Sequence, residues 1–232
     1  MNPATLSADL SRLFVPGAIV AELRQPGDPQ LLLPEESAHL GRAVPERVGE
    51  FAAGRLCARR ALAEFGIVDF PICRAVDRQP VWPETMVGSI THTAGLCAAV
   101  VAERRYADAL GLDSEVVGDI SGEIWHRICL PTEIAWLESL PAPQRAAAVT
   151  LIFSAKEAFY KCQYPVVGER LNFHDVRIEA EDFGSPDGEF TIQAARKIAL
   201  CARSAFPRHG RYLFHERWLT AGVSMLCCRE IS

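Results

Sequence analysis

Asp113 and Glu115 stand two residues apart in the run Gly111-Leu112-Asp113-Ser114-Glu115. On a strand, that spacing places both carboxylates on one face. Two like charges so placed repel unless a cation lies between them, and hard carboxylate oxygens suit Mg²⁺. Without further context the same pair describes two solvated acids at the end of a loop. A denser cluster runs Phe153-Ser154-Ala155-Lys156-Glu157-Ala158-Phe159-Tyr160-Lys161. On a helix, Glu157 and Lys161 are i,i+4 neighbours, and Phe153 lies on the same line one turn earlier. An exposed pair of this kind contributes only about 0.3–0.5 kcal/mol. Here most neighbours are apolar, and charges partly buried among them need a reason.

A third cluster, Gly88-Ser89-Ile90-Thr91-His92-Thr93, brings a hydroxyl and an imidazole to a strand end. A lone histidine in that setting is more often structural than catalytic. Arg74 and Arg78 lie just upstream, before the turn Gln79-Pro80-Val81-Trp82-Pro83. Arg47, Arg55 and Arg59 recur at intervals that keep them within about a third of a helix circumference. Alone, they read as a solvated basic face. No G-x-S-x-G elbow is present, so a hydrolase triad is poorly supported. Neither a Walker loop nor a G-x-G-x-x-G turn occurs.

The elements that must carry these groups follow from punctuation and period. Residues 1–33 are irregular, with a strand expected at 18–23, and Pro34-Glu35-Glu36 opens a short helix. Pro45 starts a longer helix that Gly66 stops. Strands are expected at 86–93 and 96–102, turned by Ala94-Gly95, and at 109–112 leading into the acidic pair. Helices are expected at 131–140 and 144–163, the second ended by Pro165. Further strands are expected at 171–179, 189–193, 212–219 and 223–228, the last hairpin turned by Thr220-Ala221-Gly222. Each half reads helix-rich first and then as antiparallel strands, although no sequence repeat aligns. The expected class is α+β.

Composition limits the alternatives. The chain has 232 residues, 49% of them hydrophobic and 23% charged, which argues against a disordered or fibrous protein. The net charge of −5 gives no overall attraction for nucleic acid or an anionic membrane. The apolar run 93–102 is far short of the roughly 20 residues a membrane helix needs. The eight cysteines form no CxxC pair, lie in apolar stretches and follow no basic, apolar leader. They read as reduced packing residues of a cytoplasmic protein.

Taken together and in order, these pieces resemble the 4'-phosphopantetheinyl transferases of the Sfp/EntD type, and within them the EntD-like bacterial branch. Gly111–Glu115 matches that family's G-[IVL]-D-x-E strand end, and Phe153–Lys161 its [FW]-[SCT]-x-K-E-[AS]-x-x-K helix. Arg55-Leu56-Cys57-Ala58-Arg59, Trp82-Pro83 and Gly88–His92 match further elements of the branch. The resemblance spans residues 34–180 and departs at Thr91, where many relatives carry serine.

The resemblance implies transfer of the 4'-phosphopantetheine arm of coenzyme A to a serine of an apo acyl or peptidyl carrier protein. Adenosine 3',5'-bisphosphate would be released. It implies a pseudo-dimer of two similar subdomains, each with helices packed on a small antiparallel sheet and the active site between them. The expected division is 1–112, on the CoA 3'-phosphate and adenine side, and 113–232, carrying the metal and the catalytic helix. It further implies Asp113, Glu115 and Glu157 as ligands of Mg²⁺, or of Mn²⁺ in its place, with Glu157 as general base and Lys161 on phosphate. Arg47, Arg55, Arg74, Thr91, His92, Lys156 and Lys161 would bind CoA, with Arg78 competing for the place of Arg74. The protein would act as a monomer, in siderophore or secondary metabolism, without a nucleic-acid partner or a membrane span. The alternatives are an inactive CoA-binding regulator and a metal-dependent pyrophosphate hydrolase. The carrier-docking surface is expected in 116–129.

Overall fold

The computed structural model describes residues 4–180, 183–202 and 206–226. Two antiparallel sheets make the frame. The first has four strands: β1 (Thr5–Leu6), β2 (Ile19–Leu23), β3 (Met86–Thr93) and β4 (Leu96–Glu103), in the order β1-β2-β4-β3. The second has five: β5 (Ala107–Val116), β6 (Val176–Glu179), β7 (Asp187–Ala194), β8 (His209–His215) and β9 (Trp218–Leu226), in the order β5-β9-β8-β7-β6. Helix α1 (Ala8–Ser11) and α2 (Pro34–Ser37) are short, whereas α3 (Pro45–Ala63) packs along the first sheet. Helices α4 (Trp125–Ile128), α5 (Pro131–Ser139) and α6 (Ala142–Val167) belong to the second sheet's side. The expected α+β class, with helices on two antiparallel sheets, is what the chain adopts.

Small residues govern how closely the helices approach. The buried face of α3 runs through Gly49, Ala52, Ala53, Gly54, Cys57, Ala58 and Ala61. A Cβ on Gly54 would come within 2.9 Å of Ile90 in β3. On the other side, a Cβ on Gly111 of β5 would lie 1.8 Å from the carbonyl oxygen of Ala158 in α6. That glycine lets α6 rest directly on the strand bearing Asp113.

Strand β4 is buried on both faces. Cys97, Ala99 and Val101 pack toward α3 in one cluster. Ala98, Val100 and Ala102 pack with Leu110 and Leu112 of β5 and with Leu10, Leu13 and Phe14 of the N-terminal segment in another. The two sheets therefore share a core. The Ala94-Gly95 turn forms as expected, with Thr93 opposite Leu96 and Gly95 at φ 81°. Its tip is held from the second sheet, because Arg217 and the Trp218 indole both donate to the Ala94 carbonyl.

Five expectations need correction. Pro165 does not end α6, which continues to Val167 and stops at Gly168 (φ 67°), whose N–H bonds the Tyr164 carbonyl at 2.8 Å. A proline in the last turn removes a single i→i−4 bond, which a long packed helix tolerates. Residues 212–219 are not one strand, since the chain turns at Glu216-Arg217 with Glu216 at φ 54°. Thr220-Ala221-Gly222 lies inside β9 instead, where glycine serves packing: a Cβ on Gly222 would meet Leu13 and Phe14 below 3 Å. Residues 171–179 form a strand only from Val176, after a 3-10 turn over Phe173–Asp175 that the Asp175 carboxylate caps through the Asn172 N–H. Finally, Cys201 is exposed rather than packed, and Cys73 is half-buried. Cys57, Cys97, Cys129 and Cys162 are buried free thiols, while Cys227 and Cys228 lie outside the described residues.

Candidate active site

Strands β3 and β5 run side by side where the sheets meet, without a backbone ladder between them. Hydroxyls take its place. Ser89, Thr91 and Thr93 alternate along β3 and all face β5. The Leu112 N–H donates to Ser89 Oγ at 3.1 Å, and the Ser114 N–H donates to Thr91 Oγ1 at 3.1 Å. Thr93 Oγ1 donates to Glu115 at 3.4 Å. The acidic strand is thereby fixed against the histidine strand. The alternation Ser89-x-Thr91-x-Thr93 is the sequence signal for this contact, which a single hydroxyl beside one imidazole does not convey.

Asp113 and Glu115 lie within β5 rather than past its end. Asp113 is buried, with Oδ1 accepting from Lys161 Nζ at 2.7 Å and Oδ2 from Ser154 Oγ at 2.8 Å. Lys161 Nζ also donates to the Leu112 carbonyl at 3.1 Å. Burial pushes the Glu115 carboxyl up to about 7, and the Asp113 charge adds to the rise while Lys161 opposes it. Burial raises Glu157 as well, again reinforced by Asp113 and opposed by Lys161. The three expected carboxylates thus share one electrostatic neighbourhood, assembled from β5 and α6. Ser114 points to the opposite face, bonding Thr220 at 2.8 Å, as its place in the alternation requires.

The three do not converge into a formed metal site. Among the described residues, no group of three carboxylate, imidazole or thiolate ligands is close enough to hold an ion. Their chemistry nevertheless fits a hard divalent cation: buried oxygen donors that hinder one another's ionisation are what such an ion relieves.

On the first-half side, α3 and β3 supply the cations. Arg47 NH1 donates to His92 Nε2 at 2.9 Å and to Glu50 at 3.1 Å, and His92 Nδ1 lies 3.7 Å from the same Glu50 oxygen. Burial lowers the His92 pKa, Arg47 and Lys161 lower it further, and Glu50 and Asp113 pull the other way. A neutral ring accepting from Arg47 satisfies this arrangement. Arg55 is buried, its Nε donating to the Ile72 carbonyl at 3.1 Å and its guanidinium stacked 3.9 Å from the Phe51 ring. Burial lowers its pKa to about 10, and the charge of Arg74 contributes. Arg59 is withdrawn from this face by a pair with the buried Glu36 carboxylate. Arg78, at φ 76°, belongs to a separate hollow.

That hollow, about 650 Å³, opens beside Lys161 and is lined by Arg78, Trp82, Ser89, Arg104, Tyr164 and Arg170 among others. A smaller one of about 290 Å³ lies beside Glu157, with Arg127, Leu171 and Phe173. Tyr160 stands between the two and lines both.

Two residues expected on the cofactor have other partners. Lys156 is 2% exposed and gives all three protons away, to the Ile128 carbonyl (2.8 Å), Glu133 (2.6 Å) and the Phe173 carbonyl (2.8 Å). Glu133 in turn accepts from the Leu130 and Ile178 N–H groups. Neighbouring helix positions point about 100° apart, so Lys156 faces the protein where Glu157 faces the cleft. Thr91 is 2% exposed and its hydroxyl is turned to β5, not outward with His92.

Comparison with known proteins matches this arrangement. The family model described as the 4'-phosphopantetheinyl transferase N-terminal domain matches residues 35–102, and that of the 4'-phosphopantetheinyl transferase superfamily matches residues 109–213. The chain is 40% identical over 171 residues to 4'-phosphopantetheinyl transferase Svp of Streptomyces mobaraensis, covering 72% of this chain and 68% of that protein. It is 36% identical over 181 residues to 4'-phosphopantetheinyl transferase PptT of Mycobacterium tuberculosis, covering 77% and 75%. It is 35% identical over 126 residues to enterobactin synthase component D of Escherichia coli K12, covering 53% and 58%. Two sheets meeting at a carboxylate-lined seam, with these matches on either side of it, define a phosphopantetheinyl-transfer enzyme. The chain belongs to the 4'-phosphopantetheinyl transferase superfamily.

Proposed function

We propose that this protein transfers the phosphopantetheine arm of CoA to a serine of an apo carrier protein, and that the β3–β5 seam is where it does so. The observation that carries the reading is the seam itself, where Asp113 of β5 bonds Lys161 of α6 and Thr91 of β3, Glu115 bonds Thr93 of β3, and His92 of the same strand bonds Arg47 of α3. The serine oxygen attacks the β-phosphorus, the bond from that phosphorus to the bridging oxygen breaks, and adenosine 3',5'-bisphosphate leaves. The serine proton passes to Glu157, whose burial raises its basicity. Lys161 sits one turn from Glu157 and places an ammonium beside the reacting phosphates.

Asp113, Glu115 and Glu157 would hold Mg²⁺ or Mn²⁺. Bound there, such an ion supplies charge neutralisation for the pyrophosphate. Arg47 and His92, with Arg55 and Arg74 behind them, take the CoA 3'-phosphate, since forked guanidinium donors match phosphate oxygens. Arg78 lines the hollow beside Lys161, where the aromatic wall of Trp82 leaves room for the rest of the cofactor. Thr91 and Lys156 do not contact CoA in this reading. Functionally the halves divide near residue 112, although β5, which crosses that point, lies wholly in the second sheet.

No described helix is long and apolar enough to cross a membrane. A cytoplasmic monomer acting on acyl or peptidyl carriers fits that observation, and the likeness to enterobactin synthase component D points to siderophore assembly.

Intact-mass spectrometry of apo carriers incubated with this protein, CoA and Mg²⁺ tests the reading. The expected result is addition of the arm to at least one of the fatty-acid, polyketide or peptide types. No mass gain on any carrier would refute it.

A further inference from the structure

Both oxygens of Asp113 are engaged before any ligand arrives. Oδ1 accepts from Lys161 Nζ at 2.7 Å and from Thr91 Oγ1 at 3.3 Å, and Oδ2 accepts from Ser154 Oγ at 2.8 Å. Thr91 is 2% exposed and Ser154 fully buried, so neither reaches a ligand. The direction of each bond follows from valence. Thr91 Oγ1 already accepts the Ser114 N–H, which leaves its one proton for the carboxylate. Ser154 Oγ must donate likewise, because an ionised carboxylate only accepts. Thr91 comes from β3 in the first sheet and Ser154 from α6 on the second, so the carboxylate plane is set from both halves at once.

We propose that Thr91 and Ser154 are positioning residues, a pair of hydroxyls that hold the Asp113 carboxylate in the orientation in which it takes up a divalent cation. The inference rests on the ligand role given to Asp113 above. Outer partners of metal-binding carboxylates restrict their rotation, and their loss typically weakens metal binding about 10–100-fold. The structure accordingly gives Thr91 a task separate from that of its neighbour His92. One strand serves two purposes through its alternation, with His92 facing the cofactor side and Thr91 facing the carboxylate.

The test is Mn²⁺ binding followed by electron paramagnetic resonance on the full chain, with saturating CoA and no carrier. CoA affinity is measured separately in EDTA. Thr91→Val preserves shape and removes both the proton given to Asp113 and the acceptor of the Ser114 N–H, Thr91→Ser preserves both, and Ser154→Ala removes the second donor while leaving the Ser114 contact intact. Thr91→Val and Ser154→Ala should weaken Mn²⁺ about tenfold, Thr91→Ser should bind it as wild type does, and CoA affinity in EDTA should stay within about twofold throughout. Ser154→Ala removes a carboxylate partner without touching the β3–β5 contact, so a shared Mn²⁺ defect in Thr91→Val and Ser154→Ala is not explained by the stranded Ser114 N–H alone, and denaturant unfolding of each variant confirms that the protein measured is folded. Unchanged Mn²⁺ binding in Thr91→Val, or equal losses in Thr91→Val and Thr91→Ser, would overturn the proposal. A Thr91→Val defect confined to CoA affinity in EDTA would overturn it too, by returning Thr91 to the cofactor. Wild-type protein that bound no Mn²⁺ would remove the ligand role of Asp113 itself.

Discussion

The two sides of the seam hold their charges in different ways. On the α6–β5 side, Asp113 is engaged at both oxygens and Lys161 bonds a carbonyl and a carboxylate at once. On the α3–β3 side, Arg47 is 59% exposed at its side chain and His92 41%, and they lean on each other and on Glu50. The first arrangement has its geometry built in, as chemistry at a phosphorus atom requires. The second rests on a half-exposed carboxylate that an arriving phosphate can replace, since Glu50 presents the same kind of oxygen to the Arg47 guanidinium and the His92 ring. Under the proposed function, rigidity would be concentrated where bonds change and adaptability where the cofactor is gathered.

Four measurements would break or sharpen that contrast. The largest effect should come from Glu157→Gln, with transfer falling about 10²–10⁴-fold through loss of the base while CoA affinity changes little. Single-turnover mass spectrometry and CoA titration separate the two, and near-normal turnover would take Glu157 out of the reaction. Lys156→Met strands the buried Glu133 carboxylate and should cost about 3–5 kcal/mol in denaturant unfolding. The protein that remains folded should bind CoA normally. A CoA defect without loss of stability would restore Lys156 to the cofactor. His92→Ala should weaken CoA about tenfold, the usual scale for one hydrogen bond to a charged group, and dephospho-CoA much less. Equal losses on the two ligands would detach His92 from the 3'-phosphate.

The smallest effect is on pH. Glu115, raised to about 7, keeps its proton across mildly acidic conditions, and a cation needs that proton gone. Divalent-cation affinity should therefore climb about threefold between about pH 6.5 and 7.5 and level off above, as one titrating ligand predicts. A flat calorimetric profile over that range would exclude Glu115 from the cation site.

Much of this was legible in the chain. Pro45 and Gly66 bracket α3, Ala94-Gly95 turns the first hairpin, and the two acidic motifs share one electrostatic neighbourhood, which only the family resemblance implied. Glycine and proline misled where their roles were tertiary. Gly222 marks where Leu13 and Phe14 press on β9, not a turn, and Pro165 sits where a packed helix absorbs one missing bond. Lys156 and Glu157 are adjacent in sequence and opposite in direction, a distinction that depends on Glu133, far from both in the chain. The family motif puts Thr91 with His92, yet a strand sends neighbouring side chains to opposite faces, and the Thr91 hydroxyl turns to β5.

The contact at Gly111 bears on how sequence variation in this enzyme should be interpreted. A single added methyl there would collide with the Ala158 carbonyl, one residue from Glu157. Either the helix lifts from the strand, or the strand bows, and the separation of Glu157 from Asp113 changes with it. A Gly111→Ala allele would thus lose stability and, with the α6–β5 spacing disturbed, alter the carboxylate neighbourhood as well, although residue 111 is itself a packing position.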